Sequence, residues 1–184
     1  MTTDLDWIEQ ARSAWRFRGR QRPAFAQIPA AGQESVWDYP RPPALVPDRR
    51  RVSVYAGERR VAETRSSLRV LETGSPPTFY LPPQSVETGL LIPSTRRTRC
   101  EWKGHAVYFH VEGPDGLIRD AVWSYPEPFA EAVAIAGWYA FYPSALRCLV
   151  EDETARPQAG GFYGGWITSD VVGPFKGEPG TGHW

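Results

Sequence analysis

The chain has 184 residues and a formal net charge of zero, with 21 basic and 21 acidic side chains. A neutral chain lacks the broad positive field that draws proteins to nucleic acid or anionic membranes, so neither partner is expected. Its two cysteines, Cys100 and Cys148, form no CxxC pair, and its three histidines lack the spacing of metal ligands. The sequence therefore predicts neither a bound metal nor a cofactor.

The composition favours a protein made mostly of β-strands. Eight Trp, eight Tyr and eight Phe supply large apolar surfaces, while 17 Gly and 18 Pro supply many turns. The first residues lack the basic and apolar regions of a secretory signal, and no stretch is long enough to cross a bilayer. We therefore expect a cytoplasmic protein with reduced thiols.

Residues 1–50 are predicted to form a helix and an arm. Residues 4–16 favour a helix because apolar side chains recur there at helical spacing. Residues 17–50 are rich in Pro and Arg and show no sustained period, which indicates an extended arm. We expect this arm to pack on the main domain through Trp37 and Tyr39.

Residues 51–152 are predicted to form the core β domain, because short alternating segments are separated by Gly and Pro turns. The predicted strands are 51–56, 60–64, 68–72, 78–81, 98–102, 106–111, 117–125, 138–142 and 146–150. The Gly-Pro-Asp-Gly turn at 113–116 should join two of them into a hairpin, since Pro presets one dihedral and Gly accepts a positive φ. Residues 153–184 are a Gly- and aromatic-rich tail, which we expect to lie packed across the core.

The phrase Val-Trp-x-Tyr-Pro-x-Pro occurs twice, at residues 36–42 and 122–128. On a strand, the Trp and Tyr of this phrase point to the same face, because side chains alternate. A proline then ends the strand. The sequence thus predicts two rigid aromatic surfaces, each either part of the core or the wall of a pocket.

Glu72 is the first candidate functional residue. It continues the strand face of Leu68 and Val70, where a carboxylate is costly unless it is paired or functional. The alternative is that the strand ends there and the carboxylate is solvated or caps the following turn.

Cys100 and Lys103 form a second candidate group. A nearby positive charge favours the thiolate, so this pair could supply an activated nucleophile. However, two residues three apart on one strand point to opposite faces. The alternative is a small buried cysteine and a lysine in a turn.

A set of aromatic side chains forms the third candidate group. Trp123 and Tyr125 share one strand face, and other rings lie on the neighbouring predicted strands. The alternative, in which these rings simply fill the core, stays open. The full set is Tyr80, Tyr108, Trp123, Tyr125, Trp138, Tyr139, Phe141 and Tyr142.

Four ordered motifs resemble a known family. They are Leu-Glu-Thr-Gly at 71–74 with Pro76 and Pro77, Cys-Glu-Trp-Lys-Gly at 100–104, Ala-Val-Trp-Ser-Tyr-Pro-Glu-Pro at 121–128, and Gly137 followed by Ala-Phe-Tyr at 140–142. The set resembles the bacterial family of domains of unknown function numbered 427, over about residues 50–152.

The resemblance implies a β-tent-like fold, in which two antiparallel sheets are joined at one edge and splayed at the other. Proteins of that shape commonly hold zinc through two CxxC pairs, which this chain lacks, so no zinc site is implied. The family has also carried a nucleotidyltransferase label. That chemistry normally uses a Gly-Ser turn followed by paired acidic metal ligands, and the sequence contains no such motif.

Three functions are weighed. The leading hypothesis is a small-molecule binding protein whose ligand sits in an aromatic cleft between the splayed sheets. The second is an enzyme that uses Glu72 as acid or base with Lys103 as electrostatic partner, or Cys100 as nucleophile. The third is a protein-interaction module whose arm and tail wrap a second subunit in a homodimer. The predicted ligand-binding residues are Glu72, Tyr80, Trp102, Lys103, Trp123, Tyr125 and Tyr142.

Overall fold

The computed structural model describes residues 4–184. Residues 1–3, the start of the segment 1–50 that was predicted to form a helix and an arm, lie outside the described residues. Short 3-10 turns lie at Val36–Asp38, Pro83–Ser85, Thr88–Leu90 and Ala130–Ile135. The helix and strands are α1 (Asp4–Ser13), β1 (Glu34–Ser35), β2 (Ala44–Asp48), β3 (Val52–Ala56), β4 (Arg59–Thr64), β5 (Ser67–Leu71), β6 (Thr78–Leu81), β7 (Leu91–Cys100), β8 (Gly104–Gly113), β9 (Gly116–Ser124), β10 (Tyr139–Phe141), β11 (Arg147–Val150), β12 (Glu153–Thr154), β13 (Arg156–Pro157), β14 (Trp166–Ile167) and β15 (Val171–Val172).

Within residues 4–184, most strands belong to two antiparallel sheets. The large sheet has seven strands in the order β2-β5-β6-β10-β9-β8-β7, and the small sheet has four in the order β12-β11-β3-β4. The prediction of a mostly β fold with paired antiparallel sheets and an N-terminal helix is confirmed. The one α-helix described within residues 4–184 has ten residues, and none of the described helices could span a bilayer.

The predicted hairpin is β8–β9, in which Gly113 pairs with Gly116 and the latter has φ +119°. Strand β6 has the predicted bounds. Strand β7 is longer than predicted, because it begins at Leu91 and continues through Pro93. A proline is tolerated there because β7 is an edge strand and its pairing with β8 is irregular between Pro93 and Arg97.

The two sheets bury one core between them. Val54 of β3 and Cys148 of β11 come from the small sheet, and Phe79 of β6 and Val122 of β9 come from the large sheet. Each of these four side chains is at most 1 % exposed. The tail also enters this core, because Trp166 of β14 is fully buried in it and its indole N–H donates to the Phe141 carbonyl at 3.0 Å.

The opposite face of the large sheet carries a second, aromatic cluster. Strand alternation places Trp123 on this face, next to the core-facing Val122. We call this side of the sheet the aromatic face. Its rings are Tyr80, Tyr108, Trp123, Tyr125 and Tyr142.

The first copy of the repeated phrase is not a strand, so that prediction is wrong. Val36–Asp38 is a 3-10 turn, because the hydroxyl of Ser35 accepts the Trp37 N–H and turns the chain where β1 ends. Trp37 is fully buried, and its indole N–H donates to the Pro174 carbonyl at 3.0 Å. The Trp37 side chain thus joins the arm to the tail through this hydrogen bond.

We expect Trp37→Ala to lower the free energy of unfolding by about 3–5 kcal/mol, the usual cost of removing a large buried ring. Its ring lies 5.2 Å from the rings of both Phe17 and Trp184, and these contacts would be lost. Denaturant unfolding measures the change. Ile28→Ala is the matched control in the arm, because Ile28 is 86 % exposed and should change stability by less than about 0.5 kcal/mol. Equal effects of both substitutions would contradict this role of Trp37.

Candidate functional site

A cavity of about 190 Å³ lies on the aromatic face of the large sheet, and we call it the pocket. All seven residues predicted to bind a ligand line it. Cys100, the predicted alternative nucleophile, lines it as well. That they bind a ligand stays a prediction. The remaining lining residues include Trp15, Arg99, Glu101, Tyr108, Gln158, Phe162, Tyr163, Gly164 and Lys176.

The predicted position of the cleft, between the two sheets, is wrong. The space between the sheets is filled by the apolar core that includes Val54 and Val122. The pocket instead opens on the other face of the large sheet, where the arm contributes Trp15 and the tail contributes Tyr163 and Lys176. The reason is strand alternation, which directs Trp123 away from the small sheet.

Cys100 and Lys103 do not lie on one strand, and Lys103 is in a turn, as the alternative expectation had it. Strand β7 ends at Cys100, and the chain turns through 101–103 before β8 begins at Gly104, which pairs with Cys100. Gly104 has φ +98°, a conformation that favours glycine. This turn puts the half-buried Cys100 and Lys103 on one wall of the pocket.

Glu72 follows directly after β5 and is ion-paired. The Arg41 Nε donates to its carboxylate at 3.2 Å, and the Arg41 side chain is fully buried. The same guanidinium donates to the backbone carbonyls of Phe17 and Thr73, both at 2.8 Å. Arg41 therefore fixes Glu72 at the edge of the pocket and offsets its charge, which is how a carboxylate is accommodated next to apolar rings.

The aromatic rings of the pocket hold one another by hydrogen bonds and edge contacts. The Trp123 indole N–H donates to the Tyr80 hydroxyl at 3.1 Å, and the Trp123 and Tyr142 ring centroids are 4.5 Å apart. Burial raises the pKa values of Tyr80, Tyr125 and Tyr142. These phenols therefore remain neutral at physiological pH. Trp123 and Tyr125 are also largely buried, so they serve both as core and as pocket wall.

Trp102 adds a donor to the pocket. Its backbone N–H donates to the Cys100 sulfur at 3.5 Å, and its side chain is 5 % exposed. The indole nitrogen of Trp102 is buried and has no hydrogen-bond partner within residues 4–184. Since a buried donor without an acceptor costs about 1–3 kcal/mol, this N–H is suited to an acceptor that residues 4–184 do not supply.

Lys103 carries a stable positive charge. Burial alone would favour its neutral form, but interactions with the Cys100 sulfur, the Tyr80 hydroxyl and the Glu72 carboxylate outweigh burial and raise the pKa of Lys103. Its ammonium group is therefore charged throughout the physiological pH range.

Lys176 was not singled out by sequence reasoning, yet it lines the pocket and is only 2 % exposed. Its Nζ lies 3.5 Å from the centroid of the Trp15 ring and 5.2 Å from that of Tyr163. Burial lowers the pKa of Lys176 to about 8, against the opposing effect of the Glu72 carboxylate and with a further lowering by Arg41. Of the 21 basic side chains in the sequence, only Lys103 and Lys176 are lysines, and both lie in this pocket.

The tail can lie on the aromatic face only because glycine occupies two positions. A side chain at Gly164 would collide with the Trp123 ring, and one at Gly165 would come within 2.9 Å of the Pro76 carbonyl oxygen. Gln158 fixes the same segment, since its side chain accepts from the Gly165 N–H at 3.2 Å and donates to the Lys176 carbonyl at 2.7 Å. The Gly-Gly pair at 164–165 is the feature of the sequence from which this close approach could have been predicted.

Fold and pocket together define a two-sheet β protein with a lysine-containing aromatic site on the outer face of its larger sheet. Residues 44–152 match the family described as "Domain of unknown function (DUF427)", and the chain belongs to this family. The comparison with curated proteins finds no match. The matched segment supplies Glu72, Lys103 and Trp123, whereas Trp15 and Lys176 come from outside it.

The pocket contains no evident metal site. Within residues 4–184, no group of three His, Cys, Asp or Glu side chains is arranged to hold a metal ion. The reactive groups that line the pocket are two amines, several phenols, one thiol and the carboxylates of Glu72 and Glu101.

We expect Gly164→Ala to lower the free energy of unfolding by about 1–3 kcal/mol, because the new methyl group must displace either the Trp123 ring or the tail. Denaturant unfolding measures the stability, and near-ultraviolet circular dichroism reports the movement of the Trp123 ring. Gly182→Ala is the matched control, because a methyl group there meets nothing within 4 Å. If Gly182→Ala has the same effect as Gly164→Ala, the close packing of the tail does not matter for stability.

The lowered pKa of Lys176 predicts a pH effect on stability. Between about pH 8 and 10.5, the unfolded chain binds more protons at Lys176 than the folded protein does. The contribution of Lys176 to stability therefore rises with pH across this window. Lys176→Met should be more stable than the natural chain at pH 7, and this difference should shrink by about 2 kcal/mol between pH 8 and 10.

Denaturant unfolding at several pH values measures the effect. Lys103→Met is the matched control, because the raised pKa of Lys103 leaves that side chain protonated in both states up to about pH 10. Its stability difference from the natural chain should stay nearly constant between pH 8 and 10. If the free energies of unfolding of the natural chain and Lys176→Met depend on pH in the same way, burial does not disfavour the protonated form of Lys176.

Proposed function

We propose that this protein binds a small, planar, negatively charged molecule in the pocket. The observation that carries the proposal is that both lysines of the chain lie among the aromatic rings of one cavity. Apolar walls with a few convergent polar groups are typical of small-molecule sites.

The size of the pocket limits the ligand. A dry cavity of about 150 Å³ holds one benzene molecule. The volume of about 190 Å³ therefore suits a single ring with one or two small substituents. The rings of Trp123, Tyr125 and Tyr142 offer flat surfaces for such a ring.

The charge of the pocket favours an anion. Arg41 is ion-paired with Glu72 and offsets its charge, whereas Glu101 keeps its charge and accepts a hydrogen bond from the Trp15 indole N–H at 2.6 Å. The amines of Lys103 and Lys176 oppose this one uncompensated carboxylate. The remaining charges are therefore mainly positive. The charged lining residues are Glu72, Arg99, Glu101, Lys103 and Lys176.

The polar groups of the pocket are also rich in donors. Lys103 and Lys176 carry N–H groups only, and the buried Trp102 indole N–H has no acceptor within residues 4–184. The phenols contribute less, because the Tyr142 hydroxyl already donates to the Phe162 carbonyl at 3.0 Å. A ligand with a carboxylate or carbonyl oxygen would supply the acceptors. The ligand class that fits size, charge and donors together is a single-ring aromatic carboxylate.

Catalysis is the second candidate, favoured by the contact between Lys103 and Cys100. Lys103 interacts with the Cys100 sulfur on the pocket wall, and Cys100 is half-buried, so a ligand could reach it. Glu72 is the corresponding acid or base candidate, although its pairing with Arg41 disfavours proton transfer. The arm and tail cover the aromatic face of their own chain, which favours a pocket over a surface that wraps a second subunit.

The proposal is tested with a series of single-ring carboxylates, benzoate, 4-hydroxybenzoate and nicotinate, each compared with its neutral amide. We expect at least one acid to bind in titration calorimetry at least ten-fold more tightly than its amide. Lys103→Met should weaken binding of that acid at least ten-fold, and Lys103→Arg should retain part of it, because it keeps the charge.

Unfolding curves of the two variants serve as the control for folding. If acids and amides bind equally, the charge argument is wrong. If none of the compounds binds to the natural chain, the proposed function is wrong for this ligand class.

A further inference from the structure

We infer that the amine of Lys176 forms a covalent imine with the carbonyl carbon of a ring-bearing aldehyde or ketone held in the pocket. This inference rests on the proposed function, because it names the reactive group of the same ligand class. It assigns Lys103 to binding of the ligand's negative charge and Lys176 to bond formation.

The first support is the surroundings of the Lys176 amine. Its side chain is 2 % exposed and lines the pocket. Within residues 4–184, its Nζ has no hydrogen bond or ion pair, and its close contacts are the faces of the Trp15 and Tyr163 rings. A buried lysine is normally paired, so an unpaired amine beside a cavity is suited to a partner from outside the chain.

The second support is how firmly the backbone holds this residue. The Lys176 N–H donates to the Gly74 carbonyl at 2.7 Å. The Lys176 carbonyl accepts from the buried Gln158 side chain at 2.7 Å. Both interactions fix the backbone of Lys176 beside the pocket, and the Trp15 and Tyr163 rings flank its amine, which is the preorganisation that a reactive side chain requires.

The third support is the use of basic residues along the whole chain. Of 21 basic side chains, 19 are arginines and only Lys103 and Lys176 are lysines. Arginine serves for surface charge, but its guanidinium stays protonated and is not a nucleophile, whereas a buried lysine amine can lose its proton and react. The chain has lysine only where a titratable amine would meet a ligand.

The protonation states of the two lysines suit these different roles. With the pKa of Lys176 at about 8, about one molecule in ten has the free amine at pH 7, against roughly one in 2,500 for an ordinary lysine. The raised pKa of Lys103 keeps its ammonium charged. One lysine can therefore attack a carbonyl while the other holds a carboxylate.

The reaction is balanced without an oxidant or reductant. The lone pair of the Lys176 nitrogen forms a bond to the carbonyl carbon, and the carbonyl π electrons move to oxygen. The nitrogen then gives up its two hydrogens, the oxygen leaves with them as water, and a C=N double bond remains. The products are one imine and one water molecule.

The test uses 4-formylbenzoate, which combines one ring, one carboxylate and one aldehyde, together with sodium cyanoborohydride at pH 7. The reductant converts an imine into a stable amine, so the modified residue gains the mass of the probe less one oxygen atom. Peptide mapping by mass spectrometry locates the modification. We expect Lys176 to be modified at least ten-fold faster than an ordinary exposed lysine.

The chain supplies a clean background, since Lys103 and the α-amino group are its only other amines. Arg60→Lys adds an ordinary lysine as an internal reference, because the Arg60 side chain is 56 % exposed. Benzoate should protect Lys176 but not the α-amino group or the introduced lysine. Lys176→Arg should lose the adduct at this position while its unfolding curve reports whether it folds.

The outcomes separate the two proposals. If benzoate or 4-hydroxybenzoate binds but Lys176 reacts no faster than the introduced lysine, or is not protected, this inference is wrong and the proposed function stands. If none of benzoate, 4-hydroxybenzoate and nicotinate binds and no protected adduct forms, both are wrong for this ligand class. A protected adduct on Lys103 instead of Lys176 would overturn the assignment of roles.

Discussion

The large sheet of this protein is apolar on both faces, and this constraint organises the rest of the molecule. One face carries Phe79 and Val122 and packs on the small sheet. The other carries Trp123 and Tyr125, which would face water if nothing covered them. A sheet of this kind needs a layer on each side. The N-terminal arm and the C-terminal tail provide the second layer with short elements only, such as the ten-residue helix α1 and the two-stranded sheet β13–β14.

An irregular cover fills a flat face less completely than a second sheet would. Residues of the arm and tail reach the aromatic face at particular points, such as Gly164 on the Trp123 ring and Trp15 beside Lys176. The space left between these points is the pocket. The cover is also polar, because backbone carbonyls and the Arg41–Glu72 pair accompany it. The same architecture that protects the rings thus gives them charged neighbours.

Local chemistry made much of the fold predictable. The Pro-Asp-Gly turn indicated the β8–β9 hairpin, and alternation placed Trp123 and Tyr125 on one face. Alternation also explains why Tyr80 and Trp123 line a common cavity, whereas Trp102 and Lys103 reach it from the turn between β7 and β8. The side of the sheet on which they lie was not predictable, because a period of two distinguishes the faces of a strand but not which face meets the other sheet.

The remaining features depend on contacts between distant parts of the chain. Lys176 lies in a segment without a periodic pattern, and its neighbour Trp15 is 161 positions earlier in the sequence. Arg41 meets Glu72 across 31 positions. The first copy of the repeated phrase became a 3-10 turn because Ser35 precedes it, whereas the second copy lies mostly in β9. Two copies of one sequence pattern, Val-Trp-x-Tyr-Pro-x-Pro, therefore adopted different structures according to their surroundings.

The near absence of lysine has a consequence for how this molecule meets proteases. An endoproteinase specific for lysyl bonds finds two cleavage points in the chain, after Lys103 and after Lys176. Both belong to the pocket wall, and the second is held by backbone hydrogen bonds to Gly74 and Gln158. Cleavage after Lys176 requires that these hydrogen bonds break and the tail leaves the sheet, so the rate of cleavage at this site measures how often the tail opens.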